Sequence, residues 1–304
     1  MRRVWCGVIL GLAAACAGAF TRADDEPPAA GTAAVTDVDG KEFKLTGVKF
    51  TTGTRRLAWL ADPKGTTDDA KKGPVALEVR EPNSSLPLSK GVLTLVPVSG
   101  LESAKFDYEK QVVTLVVKGL KEPITGTLEY KGINVLGFSG TSGGKTAAFT
   151  GGVLSKTAVK TAAFGGAEAL ARPKAAGITW NVQIAQKGAD SPTVTARNLK
   201  VLYSFPGGVE HLADGVSVRK GTPIPFDKNL KRVEVLANDP NTNFAAAEVE
   251  AGDVPERIVA VPLTLEQDNK KGTLVGLVGE VDAGWKLFPL HTIKVIKPST
   301  RKIE

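Results

Sequence analysis

From residue 35 onward, apolar residues recur at every second place over short runs, and Gly, Pro, Asn and Asp punctuate them. That is the pattern of half-buried β-strands joined by turns. Val35 to Val38 and Phe43 to Phe50 flank Asp39-Gly40, a dipeptide suited to a type I′ hairpin, in which both central residues take positive φ. The alternation Phe43, Leu45, then Val48, Phe50 slips by one place at Gly47, which predicts a bulge. Further strand patterns cover residues 75–80, 92–98, 112–117, 124–130 and 133–138, then 178–185, 194–203, 222–226, 233–236, 258–265, 273–278 and 291–296. A helical period is nearly absent. One short helix is expected around residues 167–171, stopped by Pro173. With 33 glycines and 18 prolines, turns are favoured over long helices.

The first 23 residues follow another rule. Arg2 and Arg3 precede an apolar run from Val4 to Phe20, Thr21-Arg22-Ala23 offers a small-x-Ala exit, and Asp24-Asp25-Glu26-Pro27-Pro28 follows. A charged start, a short apolar middle and a small-residue exit describe a secretory signal peptide. The expected address is secreted or periplasmic, with no transmembrane span in the mature chain. An alternative is a lipid anchor on Cys16, although Leu12 stands four residues before the cysteine where the lipidation pattern wants Leu at three. Both cysteines, Cys6 and Cys16, lie in the segment to be removed, so the mature chain is expected to carry no thiol, no disulfide and no Cys ligand.

Two stretches read as connectors. Residues 62–73 are polar and rich in Lys, Asp and Thr, the composition of a surface loop, and residues 139–177 are dominated by Gly, Ala, Thr and Ser. The expected organisation is therefore a signal peptide at 1–23, a disordered segment at 24–34, a β domain at 35–165, a linker at 166–176 and a second β domain at 177–304. The fold class is all-β, with two related halves of small barrels or β-sandwiches and very little helix.

The halves are related through repeated features. Val96-Pro97-Val98, Ile224-Pro225-Phe226 and Phe288-Pro289-Leu290 each precede an alternating strand, and a copy without proline occupies residues 153–164. Gly126-Thr127-Leu128 and Gly272-Thr273-Leu274 also recur. Proline has no N–H and straightens the residue before it, so each triplet marks the start of a strand or a sheet edge. The order of strand, Gly-x-Leu strand, short strand, apolar-Pro-apolar triplet and last strand resembles SH3-like or Sm-like small barrels, over residues 257–297 and 111–165. The whole chain resembles exported β-rich bacterial proteins of unknown function. The first resemblance implies a binding or scaffolding module, and the second brings no activity with it.

Chemistry-bearing motifs are few. Gly140-Thr141-Ser142-Gly143-Gly144-Lys145-Thr146 ends like a phosphate-binding loop, but Ser139 stands where the first Gly is required, and Ala147-Ala148-Phe149-Thr150-Gly151 is a poor helix to follow it. A hairpin loop is expected. Asp37-Val38-Asp39-Gly40 fails as a calcium loop, because Val35 and Thr46 would hold its first and twelfth places. His211, in a predicted loop, and His291, at the start of the last strand, have no metal-ligand spacing. Gly137-Phe138-Ser139-Gly140 is not a nucleophile elbow. No catalytic residue, metal or cofactor is expected. Trp59, Trp180 and Trp285 read as partial core residues, and Trp59, beside the turn at 52–56, is the candidate for stacking on a sugar.

Charge narrows the partners. Removing Arg2, Arg3 and Arg22 with the signal segment takes the net charge from +7 to +4, and the remaining Lys and acidic residues are interspersed. Nucleic acid is not an expected partner, since no basic stripe carries interleaved aromatics. The leading expectation is a non-enzymatic structural or interaction protein of the bacterial cell envelope, offering sheet edges and loops to an envelope protein or polysaccharide. The alternatives are a hydrolase of envelope polysaccharide and a polyanion-binding module using a ridge of Lys145, Lys156 and Lys160.

Overall fold

The structure is a computed structural model that describes residues 31–63, 73–80, 91–127, 136–152, 156–169, 177–185, 192–207, 209–216, 223–239, 244–252, 254–267 and 269–299. The signal segment with both cysteines, residues 64–72 of the first connector and residues 170–176 of the linker lie outside these. Among the described residues the helical segments are three single 3-10 turns, Ala58–Leu60, Val98–Gly100 and Leu290–Thr292. Residues 167–169, where the short helix was expected to begin, are not helical. The chain is all-β.

The first hairpin joins β1 (Thr32–Asp37) to β2 (Glu42–Thr52). Its turn is not type I′. Only Gly40 takes positive φ, at 82°, with its N–H on the Asp37 carbonyl at 3.1 Å and the Asp37 N–H on the Lys41 carbonyl at 3.0 Å. This is a type I turn closed by a glycine bulge. The Asp37 side chain accepts the N–H groups of Asp39 and Lys41 at 3.0 and 2.8 Å, the local bonding that makes Asp a turn residue. The predicted bulge at Gly47 is present: φ is 61° there, and the pairing of β2 with β9 (Leu136–Ser142) slips between Thr46 and Lys49.

Two units share one topology. In the first, β10 (Lys145–Gly151) and β11 (Val159–Phe164) complete a five-strand frame in the order β10-β9-β2-β1-β11. The meander β6 (Leu101–Asp107), β7 (Val112–Val117) and β8 (Ile124–Thr127) continues outward from β11. The second frame is built from β12 (Thr179–Ile184), β13 (Thr193–Phe205), β21 (Lys270–Val281), β22 (Gly284–Phe288) and β23 (Ile293–Pro298). It runs β22-β21-β13-β12-β23, and the meander β17 (Leu230–Asp239), β18 (Phe244–Ala251) and β19 (Val254–Pro262) continues from β23. In both units the frame's fifth strand returns to its first, the meander docks on that fifth strand, and the meander's residues are inserted between strands two and three.

The remaining strands tie the units together. β3 (Thr54–Arg56), β4 (Val75–Arg80) and β5 (Leu93–Pro97) come from the first unit's insertion, yet β5 pairs with β22, so they extend the second sheet. β14 (Val209–Ala213) pairs with β13, β20 (Thr264–Gln267) with β21, and β15 (Gly215–Val216) with β16 (Ile224–Pro225). The expected boundaries and connectors thus need three corrections. β1 begins at Thr32, because Ala33 already faces the core at 2 % exposed. The small, polar stretch 139–177 holds β10 and β11, whose Phe149 and Phe164 supply the apolar side chains. Strands β3 to β5 belong to the sheet of the other half.

Each unit surrounds its own core, and a third cluster fills the junction. Strands β4 and β5 alternate between cores: Leu77, Val79 and Val96 face the first unit, while Ala76 and Leu95 face the junction. On the other side β13, β21 and β22 send Leu202, Val278 and Leu287 to the junction and Val201, Leu277 and Phe288 to the second unit. Strands buried on both faces read as continuous apolar runs, which is why Leu93-Thr94-Leu95-Val96 and Val275-Gly276-Leu277-Val278 show no alternation.

Candidate functional site

The junction holds two of the buried polar side chains of the described residues, Thr94 and Glu210. The path β14-β13-β21-β22-β5-β4-β3 curls round the third cluster, and its ends meet without a ladder. The Leu212 N–H donates to the Pro63 carbonyl at 2.9 Å, and the Arg55 guanidinium on β3 pairs with Glu210 on β14. Arg55 also reaches Glu78 on β4 at 3.5 Å and lies 5.7 Å from the centre of the Trp59 ring. One cation thus links two carboxylates from strands remote in sequence. Burial pushes the Glu210 carboxyl above the usual carboxylate range; Arg55 pulls against this and Glu78 adds repulsion. Such an arrangement latches the two ends of a sheet. Nothing local in the sequence announces it, since Arg55 and Glu210 stand 155 residues apart.

At the middle of the seam, β5 and β22 pair antiparallel through Trp285↔Leu95, Lys286↔Thr94 and Leu287↔Leu93. The hairpins on either side have matching registers, Leu77↔Val96 in β4–β5 and Leu277↔Phe288 in β21–β22. Each leads through a proline, Pro97 at φ −56° and ψ 128° or Pro289 at φ −55° and ψ 138°, into a 3-10 turn. The two hairpins therefore meet about a local two-fold passing through Thr94 and Lys286. The Lys286 ammonium donates to the Thr94 hydroxyl at 3.2 Å, and burial lowers its pKa to about 8. A lysine set between Trp285, Leu287 and Phe288 was the one readable sign of this contact.

The residues singled out from the sequence fall elsewhere. Trp59 is 2 % exposed and packs with Leu57, Leu95 and Leu202. It is a core residue of the junction with no open face for a sugar, because Ala58–Leu60 folds inward beneath Arg55. Trp180 is likewise core, in edge-to-face contact with Phe226. His211 lies on β14 opposite Tyr203, against the ring of Phe205, rather than in a loop. His291 sits in the 3-10 turn before β23. The Gly-rich stretch is the β9–β10 hairpin, with Gly143 and Gly144 at φ 56° and 78°. Lys156 and Lys160 flank Ala158, beside Thr150, whereas Lys145 lies at the far end of β10, five residues or about 17 Å away. The three do not form one ridge.

The second unit also holds a small apolar cavity of about 30 Å³, bordered by Val201, Val235, Ala245, Ala247 and Leu290, room for one or two methyl groups. No helix of the described residues is long and apolar enough to cross a membrane, and none of their His, Cys, Asp and Glu side chains gather into a metal-binding group. No protein-family model, curated protein or solved structure matches this chain.

Proposed function

We propose that this is an exported, non-catalytic structural or interaction module of the bacterial cell envelope, built from two duplicated β units with an SH3-like frame, that binds its partner through sheet edges. The observation that carries the reading is the covering of β22 by β5: one unit already completes its sheet with a strand supplied by the other. Strand addition is a general mode of protein recognition, with main-chain bonds giving affinity and alternate side chains giving specificity. Duplication is supported by the sheet order shared by the two units. The proline triplets support it too: the first two precede the leading meander strands β6 and β17, and the third precedes β23, the counterpart of β11, in which the proline-less copy at 153–164 ends. The Gly-Thr-Leu pair does not follow the repeat, since Gly126 lies in a meander strand and Gly272 in a frame strand.

The test is expression of the full precursor in a bacterium, followed by fractionation, N-terminal sequencing and cross-linked pull-down from envelope extract. The expected result is a periplasmic or secreted chain that begins near Asp24 and retains an envelope protein or polymer. A chain kept in the cytosol with Met1 in place, or turnover of envelope polysaccharide by the purified protein, would overturn the reading.

A further inference from the structure

The two units differ at one equivalent edge. The fourth frame strand of the second unit, β22, is paired on both sides, by β21 and β5. Among the described residues the fourth frame strand of the first unit, β10, forms a ladder only with β9, besides the single bridge Thr150↔Ala158. At its end the Thr150 N–H, directed away from β9, donates to the Thr157 carbonyl at 3.0 Å. Main-chain groups alternate sides every residue along a strand, so those of Ala148 and Thr146 face the same open side, and no strand of the described residues meets them. Both residues are exposed.

Sheet edges are ordinarily blunted by charge, proline, brevity or a covering element. Several other edges have such guards. β8 is four residues long, β3 is three residues long and held by the Arg55 latch, and β19 carries Pro255, Glu256, Arg257 and Pro262 in its sequence. From Thr146 to Gly151, β10 has neither charge nor proline. On one face it carries half-buried Ala147 beside the buried Phe149, whose ring lies 5.0 Å from that of Phe43; on the other it offers the exposed Thr146 and Ala148.

We propose that β10 accepts, by antiparallel pairing, an extended segment of another protein that is free of proline over about four residues and apolar at alternate positions, as β22 accepts β5. The alternate apolar side chains would rest on Ala147, at the rim of the core cluster that holds Phe149. A second copy of this chain fits less well. Pairing β10 with itself through Thr146 and Ala148 would bring only Thr and Ala side chains across the two-fold and bury little apolar surface. This inference rests on the interaction-module reading and names its edge.

The experiment uses the full mature chain and a labelled peptide with the β5 sequence from Gly91 to Val98. The expected result is saturable binding that weakens by about tenfold or more in Ala148→Pro. That variant is compatible with folding, because the N–H it removes makes no bond to β9. Peptides N-methylated at Leu93 and Leu95, or at Thr94 and Val96, add a measurement that needs no protein variant: one set should lose binding and the other keep it. Equal binding to Ala148→Pro, equal effects of the two methylated sets, or no binding would overturn the proposal. So would a dimer of the chain alone that Ala148→Pro dissolves, which would assign the edge to a second copy. An envelope partner captured equally by wild type and Ala148→Pro would leave the interaction-module reading standing and remove only this one.

Discussion

The two units run the same eight-strand path with different contents. The first gathers phenylalanine rings into one cluster: Phe138 meets the rings of Phe149 and Phe164 at 5.8 and 5.3 Å, with Phe50 at 6.3 Å. The second disperses its buried aromatics, Trp180, Tyr203, Phe205 and Phe288, among mainly Val and Ile, and it retains a void beside Ala245 and Ala247. The first has an open fourth strand, and in the second that strand is the centre of the seam. Topology therefore does not depend on which apolar side chains fill the core, provided the alternating positions are apolar and the volume is roughly met. What differs between like units is how each edge is completed.

That comparison can be broken most severely at the seam. Leu95 is fully buried in the junction cluster, and Leu95→Asp would place an unpaired charge there at a cost above about 4 kcal/mol. If the units are autonomous cores joined by a seam, calorimetry of this variant should show two unfolding transitions in place of one. Phe138→Ala should remove about 3–5 kcal/mol, read by urea unfolding. Its effect should exceed that of truncating an aliphatic residue of similar burial in the second core, where a void already exists. Glu210→Gln should change stability by less than about 1 kcal/mol near neutral pH, because burial of the Glu210 charge outweighs its pairing with Arg55, and Arg55 keeps Glu78 when that charge is removed. Native Glu210 holds its proton to higher pH than its ordinary value of 4.5. Its contribution to stability therefore falls as pH rises from that value through the raised one, and urea midpoints of the Gln variant should lack this slope.

Further small effects sharpen the comparison. Lys286 titrates near 8 in the folded chain against an ordinary 10.5, so the folded state carries the penalty of a buried charge below pH 8 and sheds it between 8 and 10.5. Stability should rise across that window. Lys286→Met should be more stable than wild type at pH 7 by about 1 kcal/mol, with a flatter profile at alkaline pH. Ala247→Val should stabilise by about 0.5 kcal/mol by filling part of the second unit's cavity. The first unit, packed around its cluster of phenylalanine rings, should not gain from the like change at Ala162.

Local pattern sufficed for much of this molecule. The strand patterns at 75–80 and 112–117 coincide with β4 and β7. Asp39-Gly40 marked a hairpin, Gly47 a bulge, and the proline triplets the entrances to β6, β17 and β23. Those features act over a few residues, through φ restriction and a two-residue side-chain period, so a sequence states them directly. Other strands had to be imposed from outside. β18, Phe-Ala-Ala-Ala-Glu-Val-Glu-Ala, has the composition of a helix, yet it is a strand because β17 and β19 bond both its sides. β10 and β11 lie in a small, polar stretch with the composition of a connector, and pairing with β9, β1 and β6 makes them strands. The seam was the least legible feature. Lys286 meets Thr94 across 192 residues, and Arg55 meets Glu210 across 155. Alternation tells a strand which face to bury, but only the assembled shape of two curled sheets decides which edge lies against which.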